Sequence, residues 1–231
     1  MEPTSLPAPD QPMAPVKPVM RQLDEFRMQI GGVTLDRRSR EIRFPAEINM
    51  VEGLLEFVVV QNKGKVHESL LITEISPTHL NLAFKLLRYT ASPELYPIWL
   101  EPGVSSGKYP EVDPATQAAA RVNIDVEWDQ DGKKRRMPVN DLVQHAVKAH
   151  AMPAGPWVYG GSHVHDGKFS AEISGDIAAI YLSPSAMINY PGEDNQDDTV
   201  WTPFTKRVPE VGTKVTVIIA PYHKQPAPAK P

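Results

Sequence analysis

Leu54-Leu55-Glu56-Phe57-Val58-Val59-Val60-Gln61-Asn62-Lys63-Gly64-Lys65-Val66-His67-Glu68-Ser69-Leu70-Leu71-Ile72-Thr73 is the stretch on which the fold turns. Residues 54–60 form an apolar, β-branched run. A strand covered on both faces loses the polar–apolar alternation, so this run reads as a central strand. Asn62-Lys63-Gly64-Lys65 reads as a turn, and residues 66–73 as the returning strand of a hairpin. That hairpin sets antiparallel sheet as the expectation for the body of the chain.

Working outward, residues 33–35 and 41–44 read as short strands around a polar turn at Arg37-Arg38-Ser39. Downstream, Ser76 is a good N-cap and Pro77 suits the first helical position, where its missing N–H costs nothing. Leu80, Ala83, Phe84 and Leu87 then make one buried stripe, which predicts a helix over 77–89. Residues 91–120 hold five prolines and no clear period, and read as a long surface excursion over a site. Val122, Ile124 and Val126 alternate in a strand that Asp131-Gly132 turns into 133–139. A second helix is expected over 141–149, capped by Asn140, with Leu142, Val143, Ala146 and Val147 inward. Strands are expected at 157–164, 169–173, 177–182 and 214–219. The mixed order argues for an α+β fold: mostly antiparallel β-sheet with two α-helices, a sandwich being the candidate closure.

Six prolines lie among residues 1–24, and Pro226, Pro228 and Pro231 close the chain. Such segments favour extended, solvated backbone. The expected organisation is a proline-rich tether at 1–24, one domain at 25–221 and a proline-rich tail at 222–231. The formal net charge of −4 leaves no cationic excess to neutralise phosphates, which argues against nucleic acid as a partner. The basic run at Lys133-Lys134-Arg135-Arg136 reads as a solvated hairpin arm. The absence of cysteine removes disulfides, thiolate metal sites and cysteine nucleophiles. No apolar run approaches the roughly 20 residues that span a bilayer, so membrane association is expected only through a tether or anchor.

His163-Val164-His165 places two imidazoles on one face of a strand, where both reach a single divalent ion such as zinc or copper. His67 is a candidate third ligand. Glu68 is a fourth, because alternation with Val66, Leu70 and Ile72 puts its carboxylate on the apolar face. A carboxylate there must be paired, protonated or ligating. Clustered oxygens at Glu193-Asp194-Asn195-Gln196-Asp197-Asp198 read as a solvated acidic loop, lacking the spacing of a calcium loop. Gly103-Val104-Ser105-Ser106-Gly107 matches a nucleophile-elbow motif in letters only. Pro102 and Pro110 deny it the strand-to-helix context the motif needs.

Several segments resemble the YdjY-domain family of bacterial proteins. They are 42–49, 53–57, Gly64-Lys65-Val66-His67-Glu68-Ser69-Leu70-Leu71, Gly175-Asp176-Ile177, 183–189 and 208–221. The resemblance implies a shared fold and export to the cell envelope or periplasm, with the export signal outside this sequence. It implies no activity. His67 and Glu68 fall inside it and His163 and His165 do not. The iron–sulfur role described for some relatives needs cysteines this chain lacks. The expected function is a non-enzymatic envelope binding module for a protein or small molecule, with a divalent metal held by His67, Glu68, His163 and His165. The alternatives are a hydrolase or lyase using Glu68 and His67 as acid/base groups, and a structural or assembly protein.

Overall fold

A computed structural model describes residues 20–101, 104–165 and 167–223. Most of the expected tether and most of the tail lie outside the described residues. Twelve strands form one sheet: β1 (Met20–Gln22), β2 (Arg27–Ile30), β3 (Val33–Asp36), β4 (Ile42–Ile48), β5 (Phe57–Gln61), β6 (Ser69–Thr73), β7 (Arg121–Gln130), β8 (Lys133–Pro138), β9 (Trp157–Tyr159), β10 (Asp176–Ala179), β11 (Ile188–Asn189) and β12 (Lys214–Pro221). Three short helices accompany them: α1 (Pro77–Leu86), α2 (Pro114–Ala119) and α3 (Ser170–Ser174).

Eight of these strands close into a barrel. The ring runs β4-β12-β7-β9-β11-β10-β5-β6 and returns to β4 through Glu47 opposite Ile72 and Ile48 opposite Leu71. This corrects the expected α+β sandwich with two helices: the fold is a closed β-barrel with three short helices. Closure depends on β4, which shares one edge between two partners. Its first half pairs with β3, at Ile42 and Arg43, and its last residues pair with β6. Strand β7 divides an edge in the same way, between β9 at Arg121 and Val122 and β8 from Asp125 onward. Neither division leaves a trace in local sequence.

The interior is filled by alternation. Ile42, Phe44, Ala46 and Ile48 of β4, Val122, Ile124, Val126 and Trp128 of β7, and Val215, Val217 and Ile219 of β12 join one core cluster. Helix α1 packs on β2, β3 and α3, burying Leu80, Ala83 and Phe84. The Phe84 ring stacks on Tyr159 of β9 at 4.1 Å. Ser76 caps α1 by accepting from the His79 N–H, as its position before Pro77 implied.

The central stretch is the largest departure. β5 and β6 are parallel, with Phe57 opposite Ser69 and Gln61 opposite Thr73. The turn after Gln61 exists, since Gly64 N–H bonds the Gln61 carbonyl. It leads into a 3-10 turn at Val66–Glu68 rather than a strand. Residues 62–68 carry the chain back alongside β5, and β6 then runs forward again. The return covers four residue steps, about 13 Å, which a compact segment of this length spans. A period-2 pattern reports which face a side chain takes, not the direction of its strand.

Two further expectations fail. The stretch 141–149 is no helix: a 3-10 turn at Val139–Leu142 leads into a strand at Val143–His145, paired with Trp201–Pro203. Val147, expected inward, is 83% exposed, and Asn140 bonds Trp157 and the Pro153 carbonyl instead of capping. Residues 169–173 turn mostly into α3, ended by Gly175 at φ 79°. The hairpin at Asp131-Gly132 forms as read, with both residues at positive φ, 52° and 72°.

Candidate functional site

Glu68 closes the 3-10 turn, so strand alternation does not govern where it points. Its carboxylate is 29% exposed, and its Oε2 lies 3.5 Å from Lys65 Nζ. Lys65 itself bonds Glu56 at 2.7 Å and rests over the Phe57 ring. The Glu56 contact, foremost, raises the Lys65 pKa above its ordinary value. His67 is 74% exposed, with Nε2 3.5 Å from Glu68 Oε1. The four side chains form an ion-pair cluster in which Lys65 faces both carboxylates, while the buried Glu68 Oε2 has no hydrogen-bond partner among the described residues.

His163 and His165 belong to a different element. Val164–His165 pairs with Lys168–Phe169 in a small hairpin outside the barrel. The exposed His163 ring meets the Pro184 carbonyl through Nδ1 at 3.1 Å. The side chain of His165 and residue Asp166 lie outside the described residues. Among the described residues, no group of three His, Asp or Glu side chains stands at metal-holding distance. The acidic loop is engaged as well: Asp194 bonds Lys148 at 2.9 Å and His145 at 3.3 Å. The Lys148 hydrogen bond holds the Asp194 carboxyl below the usual range. Ser105 sits in a two-stranded hairpin, Trp99–Glu101 with Val104–Ser105, far from a strand-to-helix elbow.

A buried polar network went unread in the sequence. Asp176, 4% exposed at the start of β10, accepts from Ser185 Oγ at 2.5 Å and Ser183 Oγ at 3.3 Å. Its Oδ1 has no partner among the described residues. The two serine hydroxyls also lie 2.9 Å from each other, and no histidine nitrogen contacts either of them among the described residues. The signal was available: an aspartate opening the apolar run Asp176-Ile177-Ala178-Ala179, followed by Ser183-Pro184-Ser185.

The network reaches the excursion through Tyr96. The Tyr96 hydroxyl donates to the Ser183 carbonyl at 3.1 Å and accepts from Asn189 Nδ2. Burial pushes its pKa well above the usual tyrosine range, which keeps that donor protonated. Two residues upstream, Glu94 accepts from Arg121 and from the buried Ser92 hydroxyl. Ser92 N–H also bonds the Tyr159 carbonyl of β9. The root of the excursion is therefore fastened to the barrel by buried hydrogen bonds, with Arg121 Nη1 left without a partner among the described residues.

Beyond that root the chain forms an arm with its own hairpin bonds, Ile98 N–H to Lys108 O at 2.7 Å and Ser106 N–H to Ile98 O at 2.8 Å. Its large apolar side chains face solvent: Ile98 47%, Trp99 50%, Leu100 70%, Val104 49% and Tyr109 52% exposed. Scattered exposed apolar residues are ordinary, but here five fall within residues 98–109. The sequence had marked this segment only by its prolines.

The comparisons with known proteins agree with the resemblance read from the central segment. No curated protein and no solved structure matches this chain. The model of the YdjY domain matches residues 33–220, which take in the barrel strands, the Gly64 to Leu71 segment and the arm. The chain belongs to the YdjY-domain family.

Proposed function

We propose that the protein is a non-enzymatic interaction module of the bacterial envelope that grips a partner protein through the arm at 98–109. The observation that carries this reading is the contrast within the excursion. Its root is locked by Ser92, Glu94 and Tyr96, while Trp99 and Leu100 stand half or more exposed. A braced aromatic and aliphatic surface loses little conformational entropy on binding, the condition under which such residues anchor an interface. The proline-rich composition of residues 1–24 supports a tethered envelope location. Engagement of Glu68 by Lys65, and the exposure of His67 on the surface beside it, favour this reading over the acid/base alternative.

The test is site-specific photo-crosslinking in the native cell. A crosslinker at Leu100 should give a discrete adduct that Trp99→Ser reduces at least tenfold. A crosslinker at the exposed Val211 should give none. Equal adducts at both positions, or an adduct indifferent to Trp99→Ser, would remove the arm from the account. Recovery of the native protein with cytoplasmic rather than periplasmic markers would remove the envelope location.

A further inference from the structure

We propose that a groove between the β3–β4 turn and the C-terminal end of α1 binds a phosphate group. The groove encloses about 650 Å³ and is lined by Arg37, Arg40, Leu86, Leu87 and Arg88. Arg38 stands in the same turn but over the Phe26 ring, outside the lining, so three guanidinium groups line this groove in a chain whose formal net charge is −4. None of the three has an ion-pair partner among the described residues. The neighbouring carboxylates are committed elsewhere. Asp36 accepts from the backbone N–H groups of Arg38 and Ser39. Glu41 pairs with Arg43 and Arg136.

Arg40 shows how the groove is built. Its guanidinium donates from Nε to the Leu87 carbonyl at 3.2 Å and from the Nη2 nitrogen to the Arg88 carbonyl at 3.3 Å. It lies over the Tyr89 ring at 4.6 Å, and the Tyr89 hydroxyl donates to the Arg40 carbonyl at 2.7 Å. These contacts cancel the negative end of α1 and fix one cation at the base of the groove. Arg40 and Arg88 both take positive φ, 60° and 58°, where a non-glycine residue is strained. Arg37 and Arg88 are exposed; one Arg37 nitrogen, Nη2, rests on the Met28 sulfur at 2.8 Å, which leaves its other donors for a ligand. Guanidinium forks match phosphate oxygens two at a time, and the Arg37 and Arg88 groups, with the Arg40 charge fixed at the base of the groove, suit a group with several anionic oxygens better than one carboxylate. Leu86, 38% exposed, offers an apolar wall beside them.

The phosphate could come from a soluble compound or from a lipid headgroup, and one experiment separates the two. Inorganic phosphate is titrated at constant ionic strength, with potassium chloride as the reference, and amide shifts are followed by NMR. Vesicles of phosphatidylcholine with and without phosphatidylglycerol form the second arm. The expected result is a saturable shift at Arg37, Arg40 and Arg88 in one or both arms. The double variant Arg37→Gln with Arg88→Gln should weaken it at least tenfold, and Arg135→Gln, on exposed β8, should leave it unchanged. Saturation by inorganic phosphate assigns the soluble source; a response confined to phosphatidylglycerol vesicles assigns the lipid. A response no larger than that to chloride in both arms together overturns the proposal. So does a double variant that melts normally and still binds as tightly.

Discussion

Gly175→Ala should destabilise the protein by about 2–5 kcal/mol, read as a lower urea midpoint at unchanged slope. Two costs combine. Gly175 ends α3 at φ 79°, where a side chain costs about 1–2 kcal/mol. A Cβ there would also stand 2.9 Å from Gly64 Cα and 3.0 Å from Gly64 N. Neither neighbour is the tip of a flexible side chain, so backbone must move, at a typical overpacking cost of about 1–3 kcal/mol. Gly132→Ala supplies the control, because Gly132 has φ 72° and open space around it. It should lose only the conformational part. Equal losses for the two variants would mean that the segments around Gly64 and Gly175 do not meet, and that β5 and β6 are wired differently.

Trp157→Phe should cost about 2–4 kcal/mol, and Trp157→Ala more, enough to threaten folding altogether. Trp157 is fully buried on β9, and its indole N–H donates to Asn140 Oδ1 at 3.0 Å. Asn140 in turn donates to the Pro153 carbonyl at 2.8 Å. Phenylalanine leaves a void beside Tyr190 and strips Asn140 of its donor. Breaking one partner of a buried hydrogen bond costs more than its net worth, because the other is left desolvated. Combined with Asn140→Ala, the loss should fall short of the sum by about 1 kcal/mol or more. Strict additivity in denaturant melts would show that the two side chains are not bonded, and that the turn at residues 139–142 is not held to β9 through Asn140.

What the sequence disclosed and what it hid divide along a physical line. Features fixed by near neighbours were legible: the Ser76-Pro77 start of α1, the Asp131-Gly132 hairpin, the alternation of β7. Features fixed by distant partners were not. Residues 143–145 have helical-looking spacing, yet they pair with Trp201–Pro203, more than fifty residues on. His145 then folds the following turn, its Nδ1 accepting from the N–H groups of Val147 and Lys148. Glu68 was read from strand alternation that a three-residue 3-10 turn abolishes. The arm and the arginine groove have no local signature, since exposure and the meeting of Arg37, Arg40 and Arg88 are properties of the folded chain.

A filled and closed barrel leaves no interior cleft and sends function to its outer surfaces. Native-state hydrogen exchange tests this at the seam between β4 and β6. Asn49 N–H bonds the Leu70 carbonyl at 2.9 Å there, beside Leu71 and Ile72. A closed ring predicts that Asn49 and Ile72 exchange only through global unfolding, with the same free energy as Val126 and Val217 in the middle of the β7–β12 pair. Exchange of the seam amides through a low-energy local opening, while Val126 and Val217 stay protected, would show an open sheet with β6 at its edge.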